Sequence, residues 1–130
     1  MEELKIKELA ELLEITEEEA KQKIEDEDYL ILTDEEANEK AREYIVGSLW
    51  AFNADFIIEH CKKLDFDYSK DLQKIQTEQC ENCNGLIEAL IDDIDEFVED
   101  AINTDGRGHF ISWYDGEEQE TEHFFVYRMN

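Results

Sequence analysis

The chain has 130 residues, and its 37 Asp and Glu residues against 12 Lys and Arg residues give a formal net charge of −25. A charge of that sign and size excludes a basic groove for nucleic-acid phosphates as the main activity, and it argues against an anionic membrane surface as a partner. The length fits one domain, and a hydrophobic fraction of 42% supplies enough apolar material for one core.

The N-terminal part of the sequence predicts a helical hairpin over residues 1–25. In residues 4–14 the leucines and isoleucines fall mostly on one helical face. Thr16 followed by Glu19 is a capping-box pattern, which predicts that a second short helix begins there.

A strand and a third helix are predicted next. The apolar run Tyr29–Leu32 is bounded by acidic residues, as is typical of a short strand. Thr33 and Asp34 are favourable N-cap residues, and the glutamates after them lie where the helix dipole favours negative charge. We therefore predict a helix over residues 34–49, followed by a further helical turn that includes His60.

The C-terminal half contains the strongest helical pattern and then a change of period. Residues 85–103 carry a wide apolar stripe with acidic residues on the opposite face, which predicts one long helix. Residues 109–114 and 123–128 are rich in β-forming residues and are joined by a polar loop. This pattern predicts a β-hairpin within residues 104–130.

Together these elements predict the α+β fold class. No repeat and no Pro-, Gly- or Ser-rich linker divides the sequence, so we expect a single, mostly helical domain over residues 1–130. Its small antiparallel sheet contains the C-terminal hairpin, with residues 29–32 as a candidate third strand.

Two stretches of the sequence carry motifs of the forms YxxLTDEEA and DGRGHxxSxYDGxExE, and the second is followed by a strand that ends in YRxN. The matching positions are Tyr29, residues 32–37, residues 105–109, Ser112, residues 114–117, Glu120, Tyr127, Arg128 and Asn130. On these motifs the chain resembles short uncharacterised proteins encoded in bacteriophage and prophage genomes. The resemblance implies an accessory protein of a mobile element that works in a bacterial cytoplasm. By analogy, small acidic proteins of this origin often disarm host nucleases.

The main functional candidate is the acidic face of the predicted helix over residues 85–103. Between Lys74 and Arg107 there are ten Asp and Glu residues and no Lys or Arg. Carboxylates three or four residues apart on a helix lie about 5–6 Å from one another, so such a row can occupy the basic groove of a DNA-binding enzyme as phosphates do. The alternative is a solvated face, although solubility needs a net charge of only about 2–8. The candidate residues are Asp92, Asp93, Asp95, Glu96, Glu99 and Asp100.

The loop of residues 105–108 is the second candidate. Gly106 and Gly108 permit positive φ on both sides of Arg107, which predicts a turn that holds Arg107 and His109 out toward a carboxylate or phosphate of a partner. The alternative, which the scarcity of basic residues favours, is a structural corner in which Arg107 pairs with a neighbouring acid of its own chain.

Cysteine spacing gives a weak indication of zinc. Cys80 and Cys83 form a CxxC pattern, and His60 and Cys61 lie about 20 residues upstream. Adjacent residues on a helix point about 100° apart, which makes joint ligation by His60 and Cys61 awkward. We therefore predict no metal site and no cofactor, and Cys61, Cys80 and Cys83 are the thiols that a zinc site would use. The odd number of cysteines without a secretion signal predicts reduced thiols in a cytoplasm.

No catalytic motif is present, so we predict that the protein is not an enzyme, and two functional hypotheses follow. In the first, it is an acidic phage accessory protein that inhibits a host DNA-binding defence system, as an anti-CRISPR or anti-restriction protein, by carboxylate mimicry of nucleic-acid phosphates. Its partner would be a basic nucleic-acid-binding protein of the host, a nuclease or a CRISPR effector. In the second, it is a non-catalytic interaction or regulatory module whose charge serves solubility. That module binds through the DGRG loop and the hairpin, with Arg107, His109, Trp113 and Tyr114.

Overall fold

The computed structural model describes residues 1–130, and the chain divides into two compact units. Unit 1 consists of Met1–Ala41 and Asp105–Asn130, and unit 2 consists of Arg42–Thr104. Most of the chain is helical and a small three-stranded antiparallel sheet accompanies the helices, so the predicted α+β class is confirmed. The elements are α1 (Glu2–Leu13), α2 (Glu17–Glu25), β1 (Tyr29–Leu32), α3 (Asp34–Gly47), α4 (Ala54–Glu59), α5 (Ser69–Gln79), α6 (Asn84–Leu90), α7 (Ile94–Asp105), α8 (Arg107–Ile111), β2 (Gln119–Glu120) and β3 (Phe125–Arg128).

Local capping signals begin α2 and α3, as predicted. The Oγ1 of Thr16 accepts the N–H of Glu19 at 3.2 Å, and this bond begins α2. A reciprocal pair begins α3, because Thr33 Oγ1 accepts the N–H of Glu36 at 3.2 Å and the Glu36 carboxylate accepts the N–H of Thr33 at 2.9 Å. Both caps satisfy N–H groups that have no partner within the helix.

The sheet of unit 1 has the strand order β1–β3–β2, and both pairs are antiparallel. The predicted strand at Tyr29–Leu32 is confirmed, and its register pairs Tyr29 with Arg128 and Leu32 with Phe125. The core beside the hairpin of α1 and α2 contains fully or almost fully buried apolar side chains from both the helices and the strands. They are Leu9, Ala10, Ala20, Ile31, Phe124 and Val126.

The first strand of the predicted C-terminal hairpin is wrong. Residues 109–114 lie in α8 and the bend after it, and β2 is instead formed by Gln119–Glu120, within the predicted loop. Phe110 and Ile111 of α8 are buried, with exposures of 6% and 1%. Burial of this short helical turn outweighs the β-propensity of its residues, since propensity is weak against tertiary packing.

Gly108 is required for a reason other than the predicted positive φ. Of the two glycines that flank Arg107, only Gly106 has a positive φ, at 88°. A Cβ atom at Gly108 would lie 2.7 Å from the carbonyl oxygen of Gly116 and 2.7 Å from the carbonyl carbon of Glu117. The glycine therefore allows α8 to pack directly against the backbone of the following turn.

We expect the substitution Gly108→Ala to lower the free energy of unfolding by about 1–3 kcal/mol, because both obstructing groups are backbone and cannot rotate aside. Urea denaturation followed by circular dichroism measures the change. Gly85→Ala in α6 is the matched control: nothing lies within 4 Å of its added Cβ, and alanine favours the helix. Equal stability of Gly108→Ala and the wild type would contradict the close approach.

Unit 2 is helical and has its own core. Leu49, Ile57, Ile87 and Phe97 are completely buried there. The side chain of Asn84 joins two segments, since its Nδ2 donates to the carbonyl of Gly47 at 2.6 Å and its Oδ1 accepts the N–H of Trp50 at 2.8 Å.

The prediction of one long helix over residues 85–103 is wrong. The chain forms α6 and α7, and between them Ile91 is buried in an extended conformation. The Oδ1 of Asp93 accepts the N–H groups of Asp95 and Glu96 at 3.1 and 3.2 Å, so that Asp93 caps α7. Aspartate competes for backbone N–H groups in this way, which explains why the apolar stripe does not continue as a single helix.

Candidate functional site

The predicted carboxylate row of residues 92–100 does not form one continuous helical face. Asp92 and Asp93 precede α7, and both serve the backbone: Asp92 Oδ2 accepts the N–H of Lys62 at 2.6 Å, and Asp93 caps the helix. Only the four later residues of the candidate set lie on α7. The predicted spacing from Asp92 through Glu96 to Glu99 on one helix is therefore wrong.

Two of the four candidate acids on α7 have partners within unit 2. Asp95 forms an ion pair with Arg42, and because the two side chains are 78% and 43% exposed, this pair contributes little to stability. Asp100 Oδ2 lies 2.8 Å from Nε2 of His60, whose ring is mostly buried. The centroid of the Phe97 ring is 5.1 Å from that of His60, so Asp100 anchors a ring that belongs to the core.

The remaining candidate acids on α7, Glu96 and Glu99, are exposed, and their carboxylates make no hydrogen bond or ion pair. Glu88 on α6 is exposed in the same way. We call Glu88, Glu96 and Glu99 the open carboxylates. Because they hold nothing in place, their charge can be neutralised without removing a contact of the fold.

The surroundings of the open carboxylates are strongly acidic. Unit 2 contains 15 Asp and Glu residues against five Lys and Arg residues. No basic residue follows Lys74 within the unit. A cationic surface approaching this part of the chain therefore meets little competition from internal cations.

Arg107, for which the sequence left an outward tip and a favoured internal pairing open, lies inside unit 1 with its side chain only 10% exposed. Its Nη1 donates to Asp34 Oδ1 and Asn38 Oδ1, both at 2.8 Å, and its Nε donates to Glu118 Oε1 at 2.7 Å. The guanidinium also stacks 4.5 Å from the ring centre of Phe125. The internal pairing that the scarcity of bases favours is therefore the observed one, with partners that sequence spacing did not identify.

Glu118 connects this pairing to the sheet. The hydroxyl of Tyr127, a completely buried residue of β3, donates to the same oxygen of Glu118 that Arg107 contacts. Burial of Tyr127 and its bond to Glu118 raise the pKa of the phenol. For Arg107, burial lowers the guanidinium pKa, but the bonds from Glu118 and Asp34 outweigh burial, so its pKa is raised. Arg107 is therefore charged throughout the accessible pH range.

The other residues assigned to the DGRG loop and the predicted hairpin, which we call the tail, have separate surroundings. His109 is exposed beside the ring of Phe110. Trp113 and Tyr114 are 69% and 56% exposed, and the guanidinium of Arg128 lies 3.7 Å above the Tyr114 ring. The tail thus presents aromatic surface, while its predicted cationic anchor is used within unit 1.

We expect Arg107→Lys to lower the free energy of unfolding by about 2–3 kcal/mol, because one ammonium cannot reproduce the planar set of bonds to Asp34, Asn38 and Glu118. Chemical denaturation monitored by Trp fluorescence measures this. Arg128→Lys, at an exposed position, is the control and should cost less than about 1 kcal/mol. Equal losses for both substitutions would contradict the role of Arg107.

Unit 1 also contains a buried carboxylate, between α1 and the turn that joins β2 to β3, to which no sequence motif points. Glu8 of α1 is 5% exposed. Its Oε1 accepts the hydroxyl of Thr121 at 2.5 Å and the N–H of His123 at 2.9 Å, and its Oε2 lies 2.6 Å from His123 Nδ1. Burial opposes ionisation, but the bonds from Thr121 and His123 outweigh it and hold the pKa of Glu8 below its ordinary value.

This cluster holds the turn between β2 and β3 and does not form a nucleophile. The Thr121 hydroxyl donates to Glu8 and not to His123, so no imidazole is placed to take its proton. Glu8 and His123 are 115 positions apart in the chain. No local pattern could have connected them.

The stability that Glu8 contributes depends on pH. A lowered pKa means that the contribution is complete above the ordinary value of 4.5 and is lost as the pH falls through the lower folded-state value. We expect Glu8→Gln to cost about 1–2 kcal/mol at about pH 7 and progressively less at about pH 3. Glu11→Gln, at an exposed position of the same helix, is the control. A deficit for Glu8→Gln that stays constant over this range would contradict the assignment.

The cysteines do not assemble a zinc site. Cys61 and Cys83 are buried, Cys80 is exposed, and no three His, Cys, Asp or Glu side chains are grouped to hold a metal ion. The thiols face backbone carbonyls instead: Cys61 lies 3.2 Å from Ile57 O, and Cys83 lies 3.1 Å from Cys80 O. Burial raises the pKa of both buried thiols, which keeps them protonated.

Comparison with known proteins finds no matching family model, no similar curated protein and no similar solved structure. Among the eight helices, none has the length and apolar character needed to cross a membrane.

Proposed function

We propose that the protein is a non-enzymatic inhibitor of a DNA-binding defence protein, and that it acts by presenting carboxylates in place of nucleic-acid phosphates. Its partner is a basic nucleic-acid-binding protein, a restriction nuclease or a CRISPR effector. The setting is the cytoplasm of a bacterium that carries a phage or prophage, as the resemblance of the two motifs implies.

The observation that carries this proposal is the set of open carboxylates in an acidic unit. Glu88, Glu96 and Glu99 have no internal partner, and the 15 acids of unit 2 outnumber its bases threefold. Each carboxylate that meets a Lys or Arg of a DNA-binding groove replaces a phosphate contact, and an exposed contact of this kind contributes about 0.5 kcal/mol.

The competing hypothesis, binding through the tail, depends mainly on an accessible Arg107. Arg107 is bonded to Asp34, Asn38 and Glu118, so its guanidinium is not available to grip a partner. A net charge of −25 is also several times larger than solubility requires, and this favours an electrostatic role for the charge.

The proposal is tested by neutralising the open carboxylates together. Purified restriction endonucleases and Cas9-type effectors are assayed for DNA cleavage with increasing amounts of the protein. For an enzyme that the wild type inhibits, we expect the triple variant Glu88→Gln, Glu96→Gln, Glu99→Gln to need about tenfold more protein. That factor corresponds to about 1.5 kcal/mol, or about 0.5 kcal/mol per carboxylate.

A charge-matched control separates a local site from the overall field. The triple variant Glu11→Gln, Glu117→Gln, Glu122→Gln removes the same charge from exposed, unpartnered positions of unit 1 and should change inhibition by about twofold or less. Equal losses for the two variants would show that no local carboxylate set is recognised. Full inhibition by the first variant would reject mimicry by these residues.

A further inference from the structure

Strand β1 forms one edge of the sheet, and alternate backbone groups of β1 face away from β3. Next to the strand, the N–H of Met129 donates to the carbonyl of Asp28 at 2.8 Å, so the backbone groups of Asp28 face the β3 side. In an antiparallel ladder, residues that bond to the neighbouring strand alternate with residues that face away from it. The N–H and C=O groups of Tyr29 and Ile31 therefore point to the open side of the sheet.

A groove of about 620 Å³ adjoins β1, and its lining also includes Met129, which follows β3. Its lining includes three consecutive strand residues, Tyr29, Leu30 and Ile31. Because successive side chains of a strand point to opposite faces, a groove lined by all three extends around the strand edge. Lys5 of α1 and Ile24 of α2 contribute to its wall. The groove thus combines unpaired backbone groups with apolar surface, which are the two requirements for adding a strand.

We propose that β1 is a docking edge to which an extended segment of a partner protein adds as a fourth strand. The segment has an apolar centre of about four residues, to match the four residues of Tyr29–Leu32, and it carries Lys or Arg at both ends. Main-chain hydrogen bonds to Tyr29 and Ile31 supply the part of the affinity that does not depend on the sequence of the added segment.

The charges around β1 are the reason for proposing Lys or Arg at both ends of the added segment. Residues 25–28 are Glu-Asp-Glu-Asp and residues 34–36 are Asp-Glu-Glu, so acids stand at both ends of the strand. A segment with basic ends meets opposite charge whether it runs parallel or antiparallel to β1. Inside the groove, two lysines, Lys5 and Lys40, are balanced by Glu2 and Glu27, and this balance favours an uncharged centre.

The same charges act against a second copy of this chain as the occupant. Antiparallel pairing of two β1 strands would place residues 25–28 of one copy beside residues 34–36 of the other, acid against acid. Like charges directly opposite each other destabilise a strand pair. This proposal goes beyond the inhibitor function, because it uses unit 1 and does not require the open carboxylates of unit 2.

The probe for the test is the amidated peptide Lys-Arg-Val-Ile-Leu-Val-Arg-Lys, added to the full-length, ¹⁵N-labelled protein. At saturation we expect the amide hydrogens of Tyr29 and Ile31 to exchange about tenfold more slowly, since they become hydrogen-bonded to the added strand. Two N-methylated peptides, each blocking one set of alternate amides in the centre, should differ in affinity by about tenfold or more, because only one set faces β1.

Protein variants test the electrostatic part. Glu25→Gln, Glu27→Gln, Glu35→Gln together should weaken peptide binding about tenfold at low salt, whereas the control triple variant at Glu11, Glu117 and Glu122 should change it about twofold or less. A peptide with Glu and Asp in place of Lys and Arg should bind at least tenfold more weakly than the basic one. Neutralising the open carboxylates should leave peptide binding unchanged, so failure of the inhibitor function and failure of the docking edge are distinguishable.

Four results would each overturn the docking edge. They are unchanged amide exchange of Tyr29 and Ile31 at about millimolar peptide, equal binding of the two N-methylated peptides, equal binding of the acidic peptide, and a dimer of the free protein in which these amides are already protected. The last result would assign the edge to a second copy of this chain.

Discussion

Electrostatic repulsion among 37 carboxylates, with 12 basic side chains to offset it, is the constraint that the rest of this structure has to satisfy. Acidic side chains that leave bulk water do so only where donors meet them. Glu8, which is 5% exposed, accepts a hydroxyl, a backbone N–H and an imidazole contact. Most of the remaining acids stay on the surface, where water and salt screen them.

In unit 1, Arg107 neutralises two of these carboxylates, Asp34 and Glu118. It links the start of α3 to Glu118, and through that carboxylate to Tyr127 of the central strand. The two motifs on which the phage resemblance depends meet in this pairing, because Asp34 belongs to one and Arg107 to the other. Gly108, which contacts the turn at residues 116–117, belongs to the second motif as well. These three motif residues therefore contribute to the fold of unit 1.

This organisation separates structure from the proposed recognition. The acids of unit 1 that are buried or paired cannot be neutralised without loss of contacts, whereas Glu88, Glu96 and Glu99 can be. These two groups of carboxylates differ in whether a hydrogen-bond donor of the same chain contacts them. The effect of the charge of Glu88, Glu96 and Glu99 on the proposed recognition can therefore be tested apart from stability.

Local signals were readable from the sequence, and long-range ones were not. The caps at Thr16 and Thr33 and the strand Tyr29–Leu32 follow from patterns within a few residues, and the structure confirms them.

The errors come from competition that the sequence pattern does not reveal. Asp93 interrupts an apolar stripe that otherwise continues, and burial converts residues 109–111 from β-forming sequence into helix. The partners of Arg107 and Glu8 lie up to 73 and 115 positions away, beyond the range of any periodicity.

Competition with duplex DNA tests carboxylate mimicry most directly. The measurement is the binding of a labelled duplex to an inhibited nuclease, at increasing concentrations of this protein and at several salt concentrations. Mimicry predicts that the apparent Kd of the duplex rises linearly with the protein concentration, with no ternary complex, and that the affinity of the protein falls steeply as salt increases. A ternary complex of nuclease, duplex and protein, or an affinity that salt does not change, would contradict it.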